Sequence, residues 1–579
     1  MKLSTFLLPL GLYVAAGSAF DCTTSALNLI LPSNASALFA ISVSANGTFG
    51  HAGDVGYPKN ATNLPPLCAV SINVTSSATT SFTFGLFLPC NWNGRFLTVG
   101  NGAFTGGINW LDMGAGVQYG FAVVSTNTGH NGTGANSTFA LNNPDAKLDW
   151  LYRAMHGSII VAKQVVQSVY AKPPSYSYYS GCSTSGYQGF RDMQMFPDDF
   201  DGLLIGAPAW WHSHLQTWSI KVGLYNQPVT APTYISPSLF PVIGAERPEI
   251  LRLLRRSPAL TLYLMYNDWV ETNQSFVFPH LELGTESQWA LLAEDPPDPL
   301  SVGYVQNFVL DDPTWNWTDF SYATVLAAEN ANSDADNFDL SAFHGRGGKL
   351  LHYHGYADGY IPTHSSVYYY KHVLGTMAPA GIPLDSWYRL FLIPGMRHCA
   401  GTDVDALWYI ASAGQASTFS NGTYSVPGFE DPAHDALLAL MAWVEKGDAP
   451  VQLIATKYKN DTNLSEGVLK QRPLCPFPAR GVYSGTGSPD DAANWKFKTK
   501  QPLAPTPDDS TPTSDGTSIT QTRAISPPSS TPEPQIPSSP YVVLDICDTK
   551  NQEELAQEKP EAVRRRIDDV LRELEESGE

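Results

Sequence analysis

A serine, an aspartate and a histidine each lie in a short turn that follows a predicted strand. Ser183 stands in the turn GCSTSG of residues 181–186, between small residues. Asp358 lies in the glycine-flanked turn GYADG, and His398 follows a Pro-Gly turn. A histidine can accept the proton of a serine hydroxyl while a carboxylate orients the imidazole, which makes the serine a nucleophile. The three residue types therefore predict acyl transfer through a serine acyl-enzyme.

Two cysteines are adjacent to the serine and the histidine in the sequence. Cys182 precedes Ser183, and Cys399 follows His398. A disulfide between them would fix the serine turn against the histidine loop, which is covalent preorganisation of the two reacting groups. It would also close a very long loop, worth about 5 kcal/mol in the chain-entropy model. We therefore expect these two cysteines to be paired.

Strands and helices alternate around these turns. Apolar runs predict strands at residues 81–89, 95–99, 120–124, 176–179, 202–205, 349–354 and 389–393. Helices are predicted over 149–170, from the serine turn to residue 196, and over 431–447, the last with Asp431 as its N-cap and Pro432 in its first position. This alternation favours a parallel sheet covered on both faces, with ligands bound at the carboxyl ends of the strands.

The chain order of serine, aspartate and histidine is that of an α/β-hydrolase, although Ser185 stands where such nucleophile turns usually carry a second glycine. We expect an α/β-hydrolase catalytic domain over residues 20–207 and 343–500. Residues 208–342 break the alternation and are rich in aromatic side chains, which indicates an inserted lid domain. Residues 501–540 have the Pro/Ser/Thr composition of a disordered linker, and residues 541–579 form a charged tail that could be one helix.

Composition narrows the function classes. The chain has 579 residues and a net charge of −20, which disfavours binding to nucleic acid or to an anionic membrane surface. Residues 1–19 combine a basic start, a short apolar run and small residues at the end, as in a signal peptide; a membrane anchor is the alternative, but the run is too short to span a bilayer. Recurring Asn-X-Ser/Thr sequons also predict a secreted, extracellular glycoprotein.

Several stretches make the chain resemble the tannase and feruloyl esterase family of fungal secreted esterases. The matching motifs include WNGRF at 92–96, YRAMH at 152–156, FPDDFDG at 196–202 and GAPA at 206–209. The resemblance implies an α/β-hydrolase fold, a catalytic triad of Ser183, Asp358 and His398, and a Cys182–Cys399 disulfide. It further implies oxyanion donors at the backbone of Thr184 and of the turn Gly100, Asn101 and Gly102, and a second disulfide between Cys22 and Cys68.

The family resemblance also implies a structural calcium, but the matching region here, roughly residues 246–262, is short and basic. It lacks the alternating carboxylates that a hard cation needs, so we expect no calcium there, and catalysis by a serine triad needs no cofactor. His352 and His354 share one face of a predicted strand, but no third ligand stands at a supporting spacing, so we expect no metal there either.

The expected substrate is a small-molecule or polysaccharide-linked phenolic ester. Trp210 and Trp211, at the start of the lid, are the candidates for contact with an aromatic acyl group. The matching motifs favour feruloyl esters of plant cell-wall polysaccharide, and galloyl esters, as cut by a tannase, are the alternative. A relative that binds phenolic glycans without cleaving them is the alternative from another class.

Overall fold

The computed structural model describes residues 21–245, 256–271, 274–293, 298–415, 418 and 430–498. The expected signal peptide, linker and charged tail lie outside the described residues. No helix in the described part of the chain is both long and apolar enough to cross a membrane.

A nine-stranded sheet forms the centre of the molecule. Its strands, numbered in chain order, are β1 (Ala35–Val43), β2 (Leu67–Thr75), β3 (Ser81–Pro89), β4 (Arg95–Val99), β5 (Ala122–Thr126), β6 (Tyr176–Cys182), β7 (Gly202–Gly206), β8 (Lys349–Gly355) and β9 (Tyr388–Ile393). They lie in the order β1-β2-β3-β5-β4-β6-β7-β8-β9. The strands from β5 to β9 in that order are parallel, whereas β1, β2 and β3 are antiparallel. The predicted, mostly parallel sheet is confirmed.

The central strands of this sheet are buried along nearly their whole length, because helices cover both of its faces. The principal helices are α1 (Trp110–Gln118), α2 (Ala154–Tyr170), α3 (Thr184–Met195), α4 (His212–Tyr225), α5 (Thr363–Met377) and α6 (Ala436–Lys446). Helices α2, α3 and α5 pack into one hydrophobic core with residues of the insertion. Helices α1 and α6 contribute to a second core on the other face.

Between β7 and β8 the described chain adds no strand to the central sheet. Besides α4, this part contains the helices Phe240–Ala245, Arg256–Met265, Ala290–Ala293, Pro299–Tyr304, Tyr322–Glu329 and Ser341–Gly345 and the strand pair Trp269–Val270 with Phe276–Phe278. Elsewhere the short helices are Thr24–Asn28 and Pro144–Leu148, and two-stranded ribbons pair Gly47–Phe49 with Ala61–Leu64, Leu453–Tyr458 with Val468–Leu474, and Arg480–Tyr483 with Trp495–Lys498.

The predicted start of the last long helix is wrong. The helix begins at Ala436, and its N-cap is Asp435, whose carboxylate accepts the backbone N–H of Leu438. Asp431 instead closes a separate turn, because its carboxylate accepts the backbone N–H groups of Ala433 and His434. The helix predicted from residue 149 also begins later, at Ala154, after a wider π-type turn over Asp149–Arg153.

Candidate active site

Ser183 occupies a strained turn between β6 and α3. Its φ and ψ angles are 69° and −130°, a region that residues other than glycine rarely adopt and that costs about 1–3 kcal/mol. Three backbone bonds hold it: the Ser183 N–H donates to the carbonyl of Gly206 (3.0 Å), and the Ser183 carbonyl accepts the N–H groups of Tyr187 (3.0 Å) and Ala209 (3.1 Å). The turn therefore places the Ser183 hydroxyl at the carboxyl end of the sheet.

Small residues around Ser183 are required by close packing. A Cβ on Gly181 would lie 2.1 Å from Ser185 Oγ, and a Cβ on Gly186 would lie 2.6 Å from the carbonyl oxygen of Gly206. Ser185 fits because its side chain is only one atom longer than alanine, and its backbone carbonyl accepts the hydroxyl of Tyr179 (2.6 Å). A serine can therefore stand where nucleophile turns usually carry glycine.

Asp358 and His398 form a direct pair in the loops after β8 and β9. The His398 Nδ1 lies 2.7 Å from Asp358 Oδ2. The other oxygen, Oδ1, accepts the backbone N–H groups of Tyr360 (3.0 Å) and Ile361 (2.9 Å). Burial of Asp358 would raise its pKa, but the charge of His398 and the hydrogen bonds of His354 and His398 hold that pKa below its usual value. The carboxylate is therefore ionised and positioned to orient the imidazole.

A buried chain of hydrogen bonds supports Asp358 from behind. His354 Nε2 lies 3.1 Å from Asp358 Oδ2, and His354 Nδ1 lies 2.7 Å from the hydroxyl of Ser366. That hydroxyl is 2.9 Å from His352 Nε2, and His352 Nδ1 is 2.9 Å from the hydroxyl of Tyr388. One assignment satisfies every member: each donates one proton toward Asp358, from Tyr388 through His352, Ser366 and His354. Both histidines are thus engaged in orienting the acid.

Two further connections fix the catalytic loops to each other. A disulfide joins Cys182 to Cys399, with their Cα atoms 5.9 Å apart. The side-chain oxygen of Gln288, from the insertion, accepts the backbone N–H of Gly359 (3.0 Å) and of His398 (3.3 Å). Gln288 could not be identified from local sequence, because its role depends on the packing of the insertion against both loops.

One cavity of about 480 Å³ contains Ser183, Thr184 and His398 in its wall. No hydrogen bond joins Ser183 Oγ to the imidazole among the described residues, and such catalytic bonds commonly tighten only when substrate binds. Four residues of α4 also line this cavity: His212, Leu215, Gln216 and Ser219. Their spacing of three, one and three residues is that of one helix face, a signal that the sequence contained.

The predicted oxyanion donors differ in whether their backbone N–H already donates a hydrogen bond. The N–H of Thr184 lies in the first turn of α3, where helical amides have no partner within the helix. By contrast, the N–H of Asn101 donates to Gln188 Oε1 (2.9 Å), and the N–H of Gly102 donates to the hydroxyl of Tyr57 (3.0 Å). Tyr57 lines the cavity, was not identified from the sequence, and has a pKa that burial of its hydroxyl raises.

The prediction that Trp210 and Trp211 contact the substrate is not supported. Neither lines the cavity. Trp210 is buried and donates its indole N–H to the carbonyl of Ser365 (3.2 Å), and its ring stacks on Trp211. Trp211 in turn stacks on His214 and Tyr368. The two rings therefore pack the insertion onto α5.

The second predicted cysteine pair is also joined, with a disulfide between Cys22 and Cys68. Part of the region that matches the calcium loop of the family, residues 246–255, lies outside the described residues. Within the described ranges, the side-chain clusters that could hold a cation each contain histidine: His280, Glu282 and His364 form one, and His156, Asp192 and Asp199 the other. Neither is the all-oxygen donor set that calcium prefers.

Comparison with known proteins places the chain in a family. The family model described as "Tannase and feruloyl esterase" matches residues 68–248 and 306–497. The chain is similar to "Probable feruloyl esterase B-2" of Aspergillus terreus, with 32% identity over 467 residues that cover 74% of this chain and 86% of the relative. It is also similar to "Probable feruloyl esterase B-1" of Neosartorya fischeri, with 33% identity over 469 residues that cover 74% of this chain and 86% of the relative.

Solved structures give the same result. The crystal structure of feruloyl esterase B from Aspergillus oryzae superposes with a TM-score of 0.73 and 28% identity, covering 82% of this chain and 99% of that one. An esterase from the same organism gives a TM-score of 0.75 and 28% identity, covering 83% of this chain and 100% of that one. The tannin acyl hydrolase from Aspergillus niger, at 20% identity, shares the fold with a TM-score of 0.62, covering 83% of this chain and 95% of that one. The chain belongs to the tannase and feruloyl esterase family of carboxylic ester hydrolases.

Proposed function

We propose that this protein is a secreted serine esterase that cleaves phenolic acid esters through an acyl-enzyme. The observation that carries the proposal is that Ser183, in a strained turn, lines the same cavity as His398, and that His398 is bonded to a buried Asp358. Ser183 Oγ attacks the ester carbonyl while His398 Nε2 takes its proton. The same imidazole then protonates the leaving alcohol, and water repeats the cycle on the acyl-enzyme.

The oxyanion of each tetrahedral intermediate needs hydrogen-bond donors that are already in position. The N–H of Thr184 supplies one, since it follows the nucleophile and opens α3. The hydroxyl of Tyr57 is the second donor that we propose: it accepts the N–H of Gly102, and Tyr57 belongs to the cavity wall. Burial raises the pKa of Tyr57 above its usual value, so the hydroxyl stays protonated in alkaline solution as well.

The cavity suits an aromatic acyl group with a phenolic end. Its volume of about 480 Å³ lies within the usual range for small-molecule sites, and Leu215, Leu292 and Ile361 give it apolar walls. Asp298 adds a carboxyl group to the cavity wall. Burial raises the pKa of this group to about 6, although the hydrogen bonds from Ser301 and Leu300 act in the opposite direction. A phenolic hydroxyl could donate to this group.

Feruloyl esters of plant cell-wall polysaccharide are the substrates that we favour, because the relatives with the highest similarity reported above are named feruloyl esterases. Secretion is supported by the apolar start of the chain, the sequons and two disulfides, which persist in oxidising compartments.

The test is hydrolysis of methyl ferulate and methyl gallate by the purified protein. We expect turnover of ferulate in preference to gallate, and loss of turnover in Ser183→Ala. Ser168→Ala, which removes an exposed hydroxyl of α2, is the matched control and should retain full activity. A preference for gallate would make the protein a tannase. No turnover of either ester by folded protein would contradict the proposal and favour a non-catalytic binder.

A further inference from the structure

Four side chains that the proposed mechanism does not use meet where the insertion contacts α5. Asp268, His280 and Glu282 flank the short strand pair of the insertion, and His364 lies in the first turn of α5. One ligand atom from each of His280, Glu282 and His364 lies within 4.8 Å of the others. The two imidazole rings are 4.8 Å apart between centroids. This cluster, called here the lid–α5 cluster, does not line the catalytic cavity.

The hydrogen bond of His280 leaves one ring nitrogen available. His280 Nδ1 lies 2.6 Å from Asp268 Oδ1, and the backbone N–H of His280 donates to the same oxygen (3.1 Å). The neutral imidazole therefore carries its proton on Nδ1, and its lone pair is on Nε2. A histidine held by a carboxylate in this way is the usual outer support of a metal ligand.

Glu282 and His364 supply the other two candidate ligand atoms. Glu282 Oε1 lies 2.5 Å from His364 Nδ1 in an ion pair. A metal ion that replaced the proton between these two atoms would be held by a carboxylate oxygen and an imidazole nitrogen, next to the available Nε2 of His280.

We propose that the lid–α5 cluster is a site for a divalent transition metal of the zinc class, with His280, Glu282 and His364 as its ligands. Two imidazoles and one carboxylate are a donor set that zinc prefers and that calcium and magnesium do not. Asp268 orients His280 and, with Glu282, balances the two positive charges of the ion. The three residues are partly buried, at the boundary between the insertion and α5.

The site would join the insertion to the catalytic domain close to the acid loop. His364 follows Asp358 by six residues, and Glu282 precedes Gln288, the side chain that holds Gly359 and His398, by six residues. The hydroxyl of Thr285 donates to the carbonyl of Glu282 (2.6 Å), so the connecting segment is itself fixed. A bound ion would therefore hold the insertion against α5 without taking part in the reaction.

The experiment is a calorimetric titration of the tag-free, chelator-treated full chain with Zn²⁺. The metal content is measured after dialysis, and the absorption spectrum of the Co²⁺-loaded protein reports the coordination geometry. We expect one equivalent of Zn²⁺ per chain and a higher Tm in its presence. His280→Ala and His364→Ala should abolish the uptake, and Asp268→Asn should weaken it about 10–100-fold. His434→Ala, which removes a histidine paired with Asp431 outside the cluster, is the matched control and should bind as the parent does.

Glu282→Gln preserves size, so it extends the test if the alanine variants fail to fold. No stoichiometric uptake by the folded parent would overturn the proposal and leave the cluster as two ion pairs. Uptake that persists in His280→Ala, His364→Ala and Glu282→Gln would also overturn it. The readout is metal binding, so the result is independent of whether the esterase proposal holds.

Discussion

Removal of the Cys182–Cys399 disulfide should reduce stability and activity together. The two cysteines are 217 residues apart, and the chain-entropy relation assigns ~5 kcal/mol to a loop of that length. The same disulfide joins the turn of Ser183 to the loop of His398. Without it the distance between the two reacting groups depends on packing alone, and a displacement of about 1 Å can cost about 100-fold in rate.

The second disulfide provides the matched control. Cys22 and Cys68 are 46 residues apart, which gives ~4 kcal/mol by the same relation, but neither cysteine lines the catalytic cavity. The double variant Cys22→Ala with Cys68→Ala should therefore lose similar stability while folded molecules keep the parent kcat. Urea unfolding followed by tryptophan fluorescence measures stability, and hydrolysis of p-nitrophenyl acetate in the absence of urea measures kcat.

Two outcomes would refute the reasoning. A variant without Cys182 and Cys399 that keeps the parent kcat would show that packing alone sets the distance from Ser183 to His398. Equal loss of kcat in both double variants would show that the effect is general destabilisation. The informative result is a similar fall in the urea midpoint for both pairs, with loss of kcat for only one of them.

Other predictions test single groups. Asp358→Asn should lower kcat about 10⁴-fold at neutral pH, since an amide cannot hold the charged imidazole; a loss below tenfold would contradict its role. Tyr57→Phe should lower kcat about 100-fold or more with little change in KM, and parent kcat would remove Tyr57 from the oxyanion site. Trp211→Ala should lower the Tm and leave the KM for methyl ferulate unchanged, whereas a raised KM would restore it as a substrate contact. Burial raises the folded-state pKa of Asp435 to about 7, well above the ordinary value of 3.8 for an aspartate. The folded protein thus holds a proton that the unfolded chain releases between those values, and this contribution to stability is present below pH 4 and lost as pH rises toward 7. Asp435→Asn should therefore raise the free energy of unfolding at pH 8 by about 2–4 kcal/mol and not at pH 4, and urea midpoints that shift equally at both pH values would contradict the assignment.

Local patterns predicted the strands that carry the catalytic candidates, because those strands are short apolar runs bounded by glycine-rich turns. The turn of Ser183 was predictable for the same reason, since the close contacts at Gly181 and Gly186 exclude larger residues. The start of α6 was not, because Asp431 and Asp435 can each cap a backbone N–H, and only packing decides which of them begins the helix. Trp210 and Trp211 lie outside the cavity wall; an aromatic-rich segment does not say which rings face the cavity.

Residues that act through long-range contact could not be found from local sequence. Tyr57 reaches Gly102 from a loop before β2, and Gln288 reaches Gly359 and His398 from the insertion. In both cases a single side chain completes the hydrogen bonding of a backbone turn that is distant in sequence. Such a pairing leaves no spacing pattern, because its geometry exists only after the insertion and the N-terminal loop have packed onto the sheet.

Gln288 links the insertion to both loops that carry the acid and the base. Its one side-chain oxygen accepts the N–H groups of Gly359 and His398, and the next helix of the insertion supplies Leu291 and Leu292 to the cavity wall. Loss of this oxygen would leave two backbone N–H groups of the catalytic loops without their acceptor at once. The packing of the insertion therefore contributes to the positioning of His398 as well as to the shape of the cavity.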